Sequence, residues 1–196
     1  MKKLFILLCI SAIVLVGCGS SGNFEAQTNW EVSEFDYDNQ RGETVSLEDL
    51  KGTVWLSTFI FTDCETVCPP MTYNMSDIQA MLSEKGIEDY KIVAFSVDPE
   101  VDTPQKLQEY IANYDVIDES KWELLTGYTQ EHISGFAADS FKTLVRDDPN
   151  TNQVIHGTSF YLVDQNGIVV KNYSGTTDVP KEEMVIDVET LIEDGK

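Results

Sequence analysis

Basic residues are scarce in this chain. Its 196 residues include 13 lysines and arginines against 34 aspartates and glutamates, which gives a formal net charge of −21 at pH 7. The composition therefore excludes a protein that binds nucleic acid by neutralising its phosphates. The same charge favours solubility and attracts cations or basic partners over a long range. The sequence also lacks a Walker loop, a Ser-His-Asp array and a paired-carboxylate site, so it does not indicate common hydrolase chemistry.

The one long apolar run lies at the N-terminus, where Lys2 and Lys3 precede an uncharged stretch over residues 4–16. This pattern is typical of a secretory signal peptide and is too short to span a membrane comfortably. The run ends in LVGC, residues 15–18, which resembles the lipobox of bacterial lipoproteins. That resemblance implies cleavage before Cys18 and a diacylglyceryl group on its sulfur. A plain cleaved signal and an uncleaved anchor helix are the alternatives.

These features predict three segments. Residues 1–17 form a lipoprotein signal peptide, and residues 18–31 comprise the lipidated Cys18 and a flexible tether that begins with glycine and serine. Residues 32–196 form one folded domain, which is long enough to bury a real core. The protein is therefore expected to be lipid-anchored at the extracytoplasmic face of the cell membrane.

Cysteine is rare as well. Of the four cysteines, Cys9 falls in the signal peptide and Cys18 carries the lipid, which leaves Cys64 and Cys68. A structural disulfide in an oxidising compartment usually closes a long loop, whereas these two residues are only four apart. A redox-active pair with a reversible disulfide, or a metal site, is therefore favoured over an inert pair or a structural disulfide.

The hydrophobic pattern predicts an α/β protein with a mixed central sheet flanked by helices and an N-terminal β-hairpin extension. The hairpin surrounds Gly42, and a strand over residues 53–61 follows that is hydrophobic on both faces, as a buried strand should be. Pro69 and Pro70 indicate a helix start. Later strands are predicted over 91–97, 122–125, 159–164 and 168–173, with helices that begin near 103, 129 and 180.

Cys64 and Cys68 lie between the buried strand and the helix start. Free N–H groups and the helix dipole stabilise thiolates at such a position, which lowers the thiol pKa. A thiolate is both the nucleophile of disulfide exchange and the soft ligand that Cu(I) prefers. The acidic neighbours Asp63 and Glu65 oppose thiolate formation. Their charge argues against a strongly oxidising disulfide and favours a bound cation.

Three segments resemble the signatures of one family. Residues 60–69, IFTDCETVCP, resemble the T-x-C-x-x-x-C-P signature of the Sco/SenC family, and residues 96–104, SVDPEVDTP, and 154–158, VIHGT, are similar to its second and third signatures. The segments occur in the family's order, and the likeness extends over residues 32–192.

The resemblance implies a thioredoxin-like fold for the folded domain. It also implies that Cys64, Cys68 and His156 bind copper, as Cu(I) or Cu(II). The implied role is the assembly of the dinuclear copper centre of cytochrome c oxidase.

Only two histidines occur in the chain. His132 lies in a helical stretch among polar neighbours and is expected at the surface, whereas His156 comes just before the hydrophobic strand at 159–164. Thioredoxin-fold reductases that resemble this chain carry a cis-proline near the start of that strand, but no proline occurs here between Pro149 and Pro180. An imidazole at this place would complete a Cys2His set, which suits copper, whereas zinc normally takes a fourth ligand.

Three further features are weaker candidates. Asp98 is a candidate for orienting a metal ligand through a hydrogen bond, as the resembling segment suggests, although Val-Asp-Pro is also ordinary turn chemistry. Met71 and Met75 are soft and close to the cysteines in sequence, but their spacing indicates a helix stripe that faces the core. Residues 147–150 are predicted to form a polar loop that acts as a mobile flap or a partner surface.

The sequence leaves three functions open. The first is a metallochaperone that delivers copper to subunit II of cytochrome c oxidase. The second is a thiol-disulfide reductase that reduces the copper-ligand cysteines of that subunit. A copper donor or an extracytoplasmic thiol-disulfide reductase would be a further partner. The third is a peroxiredoxin-like pair of Thr62 and Cys64, which is disfavoured because the only arginines, Arg41 and Arg146, are not near the cysteines in sequence.

Overall fold

The computed structural model describes residues 24–195. The predicted signal peptide, the lipidation site Cys18 and the start of the tether lie outside the described residues. Between residues 24 and 195, no helix is both long and apolar enough to cross a membrane.

Strands and helices alternate along the described part of the chain. The strands are β1 (Trp30–Glu31), β2 (Asp36–Asp38), β3 (Thr44–Ser46), β4 (Val54–Ile60), β5 (Tyr90–Ser96), β6 (Trp122–Leu125), β7 (Val145–Asp147), β8 (Val154–His156), β9 (Ser159–Val163) and β10 (Ile168–Ser174). The helices are α1 (Leu47–Leu50), α2 (Cys68–Glu84), α3 (Pro104–Ile111), α4 (Gln130–Phe141) and α5 (Lys181–Asp194).

Six strands form one mixed sheet in the order β1-β10-β9-β4-β5-β6. The strands β4, β5 and β6 run parallel, whereas β9 is antiparallel to β4 and β10 is antiparallel to β9. All seven residues of β4 are buried, as the continuous hydrophobicity of this strand predicts for a central position. The observed sheet confirms the predicted α/β class and places the C-terminal end of β4 at the centre of the fold.

Helices flank the sheet and complete the core. In α2 the side chains of Met71, Met75, Ile78 and Leu82 are fully buried, and this helix packs beside α5. Phe141 of α4 contacts Phe59 of β4 and Phe95 of β5, with ring centroids 5.3 and 5.7 Å apart. Because β4 is packed by side chains on its neighbours, the loop that follows it starts from a fixed point.

The N-terminal hairpin is present as predicted, with β2 paired to β3. The sequence predicts a tether over residues 18–31, but the last residues of this range belong to the folded domain. Trp30 and Glu31 pair with β10, and the N–H groups of Gln27 and Thr28 donate to the carbonyl of Val170 at 2.8 and 3.0 Å. This segment is ordered because it supplies partners to the free edge of β10.

A second difference concerns the chain before His156. The predicted polar loop over residues 147–150 is present from residue 148 onwards, but it is the turn of an antiparallel hairpin that the sequence does not predict. In this hairpin β7 pairs with β8, and Val145 lies opposite His156. The buried side chains of Val145 and Val154 hold this hairpin on the core. His156 is therefore the last residue of a paired strand.

Gln79 of α2 offers a test of the packing. Its amide donates to the carbonyl of Asp118 at 2.6 Å and accepts from the Trp122 indole at 3.1 Å and the Ile117 N–H at 3.2 Å. The substitution Gln79→Leu leaves these three partners without their hydrogen bonds, and we expect the free energy of unfolding to fall by about 3 kcal/mol. Urea denaturation measures the loss.

The matched control is Gln105→Leu on α3. Gln105 is exposed and bonds only the side chain of Glu109, so its loss should change the stability by less than about 0.5 kcal/mol. Equal losses in the two variants would contradict the assigned role of Gln79.

Candidate metal centre

The two cysteines lie where the buried strand β4 gives way to helix α2. Pro69 and Pro70 stand in the first turn of α2, where their missing N–H groups cost no hydrogen bond. The helix has no side-chain oxygen cap. Instead, the N–H of Cys68 donates to the sulfur of Cys64 at 3.3 Å, so that sulfur takes one of the free donors at the start of the helix.

His156 approaches the cysteines from the β7–β8 hairpin. Its Nε2 lies 3.4 Å from the Cys68 sulfur, and its Nδ1 lies 2.8 Å from the carbonyl oxygen of Gly157. A carbonyl can only accept, so Nδ1 carries a proton, and Nε2 is the ring nitrogen that faces the sulfurs. The ring of Phe61 packs edge-on against the imidazole at 5.8 Å.

Gly157 allows the chain after His156 to pass close to the side chain of Thr143. A Cβ atom at this position would lie 2.1 Å from the hydroxyl oxygen of Thr143, which is far inside the contact distance. Glycine is therefore required for the close approach of the chain that follows His156 to the end of α4.

The three side chains together could hold one metal ion. The sulfurs of Cys64 and Cys68 and one ring nitrogen of His156 all lie within 4.8 Å of one another. Cys68 is fully buried, Cys64 is 8% exposed, and His156 is half-buried, so the cluster is reached from one side. Two thiolates and one imidazole form a soft set that suits copper, and a structural zinc site would need a fourth ligand.

The two thiols have very different proton affinities. A hydrogen bond from the Cys68 thiol lowers the pKa of Cys64 far below its usual range, against the opposing effect of burial. His156 and the N–H groups of Cys68 and Thr66 add to this effect. The same bond between the thiols, together with burial, raises the pKa of Cys68. The reduced pair therefore carries its charge on Cys64 and its proton on Cys68.

Asp98 does not orient His156 in this structure. The ring proton of the imidazole goes to the Gly157 carbonyl, and the Asp98 side chain forms no hydrogen bond with any residue in the described range. Burial raises the pKa of Asp98, with a further contribution from the charges of Asp102 and Asp63.

The structure also gives the positions of the other residues that the sequence singles out. Met71 and Met75 are fully buried in the stripe of α2 that faces the core, as their spacing predicts. The connection between β7 and β8 reaches the cysteine turn, where the Gln153 amide donates to the carbonyl of Asp63 at 3.1 Å. His132 is exposed on α4, and its Nε2 lies 2.6 Å from the Tyr37 hydroxyl.

The structure also reveals a residue that the sequence analysis missed. The carboxylate of Asp102 is buried and accepts the hydroxyl of Thr62 at 2.5 Å. In the sequence, Asp98 and Asp102 both follow β5 within a few residues, and no local signal tells which one turns inward. The Thr62 hydroxyl is thereby engaged with Asp102, which removes the Thr62–Cys64 pair that a peroxiredoxin-like site would need.

Comparison with known proteins gives consistent matches. The family model described as SCO1/SenC matches residues 24–193. A SCO1 protein homolog from Bacillus subtilis is 46% identical over 178 residues, which cover 91% of each chain. The structure of a SCO1/SenC family lipoprotein from Bacillus anthracis has a TM-score of 0.80 at 45% identity and covers 85% of this chain and 98% of that chain. The structure of Bradyrhizobium japonicum ScoI with copper bound has a TM-score of 0.69 at 25% identity and covers 82% of this chain and 99% of that chain.

These matches confirm the thioredoxin-like fold and the resemblance carried by the three sequence segments. Cys64, Cys68 and His156 all fall inside the matched range. The Sco family is a family of cytochrome c oxidase assembly proteins. The chain therefore belongs to the SCO1/SenC family.

Proposed function

We propose that this chain is a copper metallochaperone that acts in the assembly of the dinuclear copper centre of cytochrome c oxidase subunit II. The observation that carries the proposal is the cluster of two sulfurs and one imidazole nitrogen within 4.8 Å. Copper is the cargo of this site, bound by Cys64, Cys68 and His156 and passed on by ligand exchange.

The donor set supports copper as the cargo. Thiolates stabilise Cu(I), and imidazole binds both Cu(I) and Cu(II), so the set tolerates either oxidation state. With Nδ1 bonded to the Gly157 carbonyl, His156 offers Nε2 as the ligand atom, and the Cys64 thiolate needs no further proton loss at neutral pH. Because only three ligand side chains converge among residues 24–195, a ligand from a partner protein has a free position for copper transfer.

The proposal includes a lipid anchor. Cleavage before Cys18 and lipidation of its sulfur would tether the domain to the extracytoplasmic face of the cell membrane through the residues that follow Cys18. The Bacillus anthracis relative is described as a lipoprotein, which supports this location. Anchoring would raise the effective concentration of the copper site near a membrane-bound oxidase.

A second candidate function uses the same cysteines. In disulfide exchange a thiolate attacks the target disulfide, and a second thiol then resolves the mixed disulfide. Cys64 is the charged and more exposed thiol, whereas Cys68 is protonated and buried beneath it. This asymmetry suits a reductase of the copper-ligand cysteines of subunit II. The two functions differ over His156, which copper needs and dithiol exchange does not.

Copper binding is tested by titrating the reduced domain, residues 24–196, with Cu(II). We expect one copper per chain with a sulfur-to-copper charge-transfer absorption. The substitutions Cys64→Ala and His156→Ala should each lower the affinity by roughly 100-fold or more, because each removes a ligand. The matched control is His132→Ala, which removes the other histidine and leaves the cluster unchanged.

Parent-like copper binding by His156→Ala would contradict the Cys2His site and favour the reductase. Equal losses in His156→Ala and His132→Ala would point to an indirect effect of stability rather than to a ligand.

The oxidase role is tested in cells that lack the gene and grow at low copper. We expect cytochrome c oxidase activity in their membranes to fall to a small fraction of the parental activity. A plasmid that carries the His132→Ala form should restore it, and one that carries the His156→Ala form should not. Unchanged oxidase activity in the deletion strain would exclude this role.

The thiol asymmetry is tested by alkylating the reduced domain with iodoacetamide. Because the pKa of Cys64 is lowered, its thiolate fraction is constant near neutrality, and its reaction rate should be flat between about pH 6 and 8. An ordinary thiol reacts about tenfold faster per pH unit below a pKa of about 8.5. Peptide mapping should find the label on Cys64 and little on Cys68, whereas equal labelling of both would contradict the asymmetry.

A further inference from the structure

One buried carboxylate joins three loops at the metal-centre end of the sheet. Asp102 lies between β5 and α3 and is 1% exposed. Its carboxylate accepts the N–H of Thr62 at 3.2 Å, the Thr62 hydroxyl at 2.5 Å and the Ser96 hydroxyl at 2.6 Å. Its carbonyl accepts the hydroxyl of Thr126, which follows β6, at 2.7 Å. The chain segments after β4, β5 and β6 therefore meet at one residue.

The link to Thr62 bears directly on the cysteine turn. Thr62 is the second residue after β4 and stands two residues before Cys64. Both of its polar donors, the backbone N–H and the hydroxyl, are bound by the Asp102 carboxylate. A buried carboxylate that loses these bonds would leave the donors unpaired, which costs about 1–3 kcal/mol for each group.

Asp102 also carries a charge without a basic partner. Among the ion pairs of the described residues, none includes Asp102. In the described part of the chain, N–H and hydroxyl dipoles alone stabilise its carboxylate, and burial raises its pKa. Its bonds to Thr62 place this charge next to the cysteine turn. A cation held by the two sulfurs would be attracted by the same charge.

We propose that Asp102 is the positioning residue of the metal centre. Its carboxylate fixes the turn that presents Cys64 to His156, and its uncompensated negative charge favours a cation between the sulfurs. The role is distinct from that of a ligand, because Asp102 touches Thr62 and Ser96 rather than the cluster itself. The proposal rests on the proposed copper function for its main readout.

The test compares copper binding by Asp102→Asn and Thr62→Val. Asp102→Asn keeps the size of the side chain but removes the charge and one acceptor, and we expect the Cu(II) affinity to fall 10–100-fold, as is typical for partners of metal ligands. The sulfur-to-copper absorption should also move in energy. Thr62→Val removes only one hydroxyl and should lower the affinity less than Asp102→Asn does.

The matched control is Glu123→Gln. Glu123 is also a buried carboxylate, but it pairs with Arg41 and Lys91 rather than with the cysteine turn. This variant should lose stability and keep both the copper affinity and the absorption spectrum of the parent. A spectral change in Asp102→Asn that is absent in Glu123→Gln separates positioning from a general loss of stability.

Parent-like copper affinity and absorption in Asp102→Asn would overturn the proposal. If Asp102→Asn fails to fold, parent-like copper affinity and absorption in Thr62→Val would overturn the proposal instead.

If the parent protein itself takes up no copper, the proposed function fails. The thiol-disulfide equilibrium of Cys64 and Cys68 with glutathione then decides the role of Asp102. The constant should shift at least tenfold, about 30 mV, towards the dithiol in Asp102→Asn, because a negative charge next to the cysteine turn disfavours the anionic form of the reduced pair. An unchanged constant would overturn the role of Asp102.

Discussion

The site depends on the hydrogen bond from the Cys68 N–H to the Cys64 sulfur, which spans 3.3 Å at the start of α2. It caps the helix with a sulfur where other helices use a hydroxyl or a carboxylate. It also brings both sulfurs to the side from which His156 approaches. The capping requirement of the helix and the ligand requirement of the metal are therefore met by the same atom.

The remaining parts of the centre come from distant stretches of the chain. His156 arrives on a hairpin 88 residues after Cys68, and Asp102 arrives from the loop after β5. The parallel strands β4, β5 and β6 bring their following loops to one edge of the sheet. The cluster is therefore held by the fold as a whole, because the turn before α2 fixes only the spacing between Cys64 and Cys68.

Local signals explain which parts could be predicted from the sequence. The hydrophobicity of β4 and the proline pair after Cys68 placed both cysteines correctly at a strand end and a helix start. His156 could be predicted as the third ligand because histidine is scarce in the chain and because of the family resemblance. The β7–β8 hairpin could not be predicted, because its three-residue strands carry little pattern and are held by the burial of Val145 and Val154. The inward turn of Asp102 depends on contacts that only the folded chain creates.

The most direct test of the copper site is X-ray absorption spectroscopy of the copper-loaded domain. The account predicts scattering from two sulfurs and one imidazole, with the imidazole component absent in His156→Ala and one sulfur absent in Cys64→Ala. A parent spectrum with fewer than two sulfurs, or with no imidazole, would contradict the Cys2His centre.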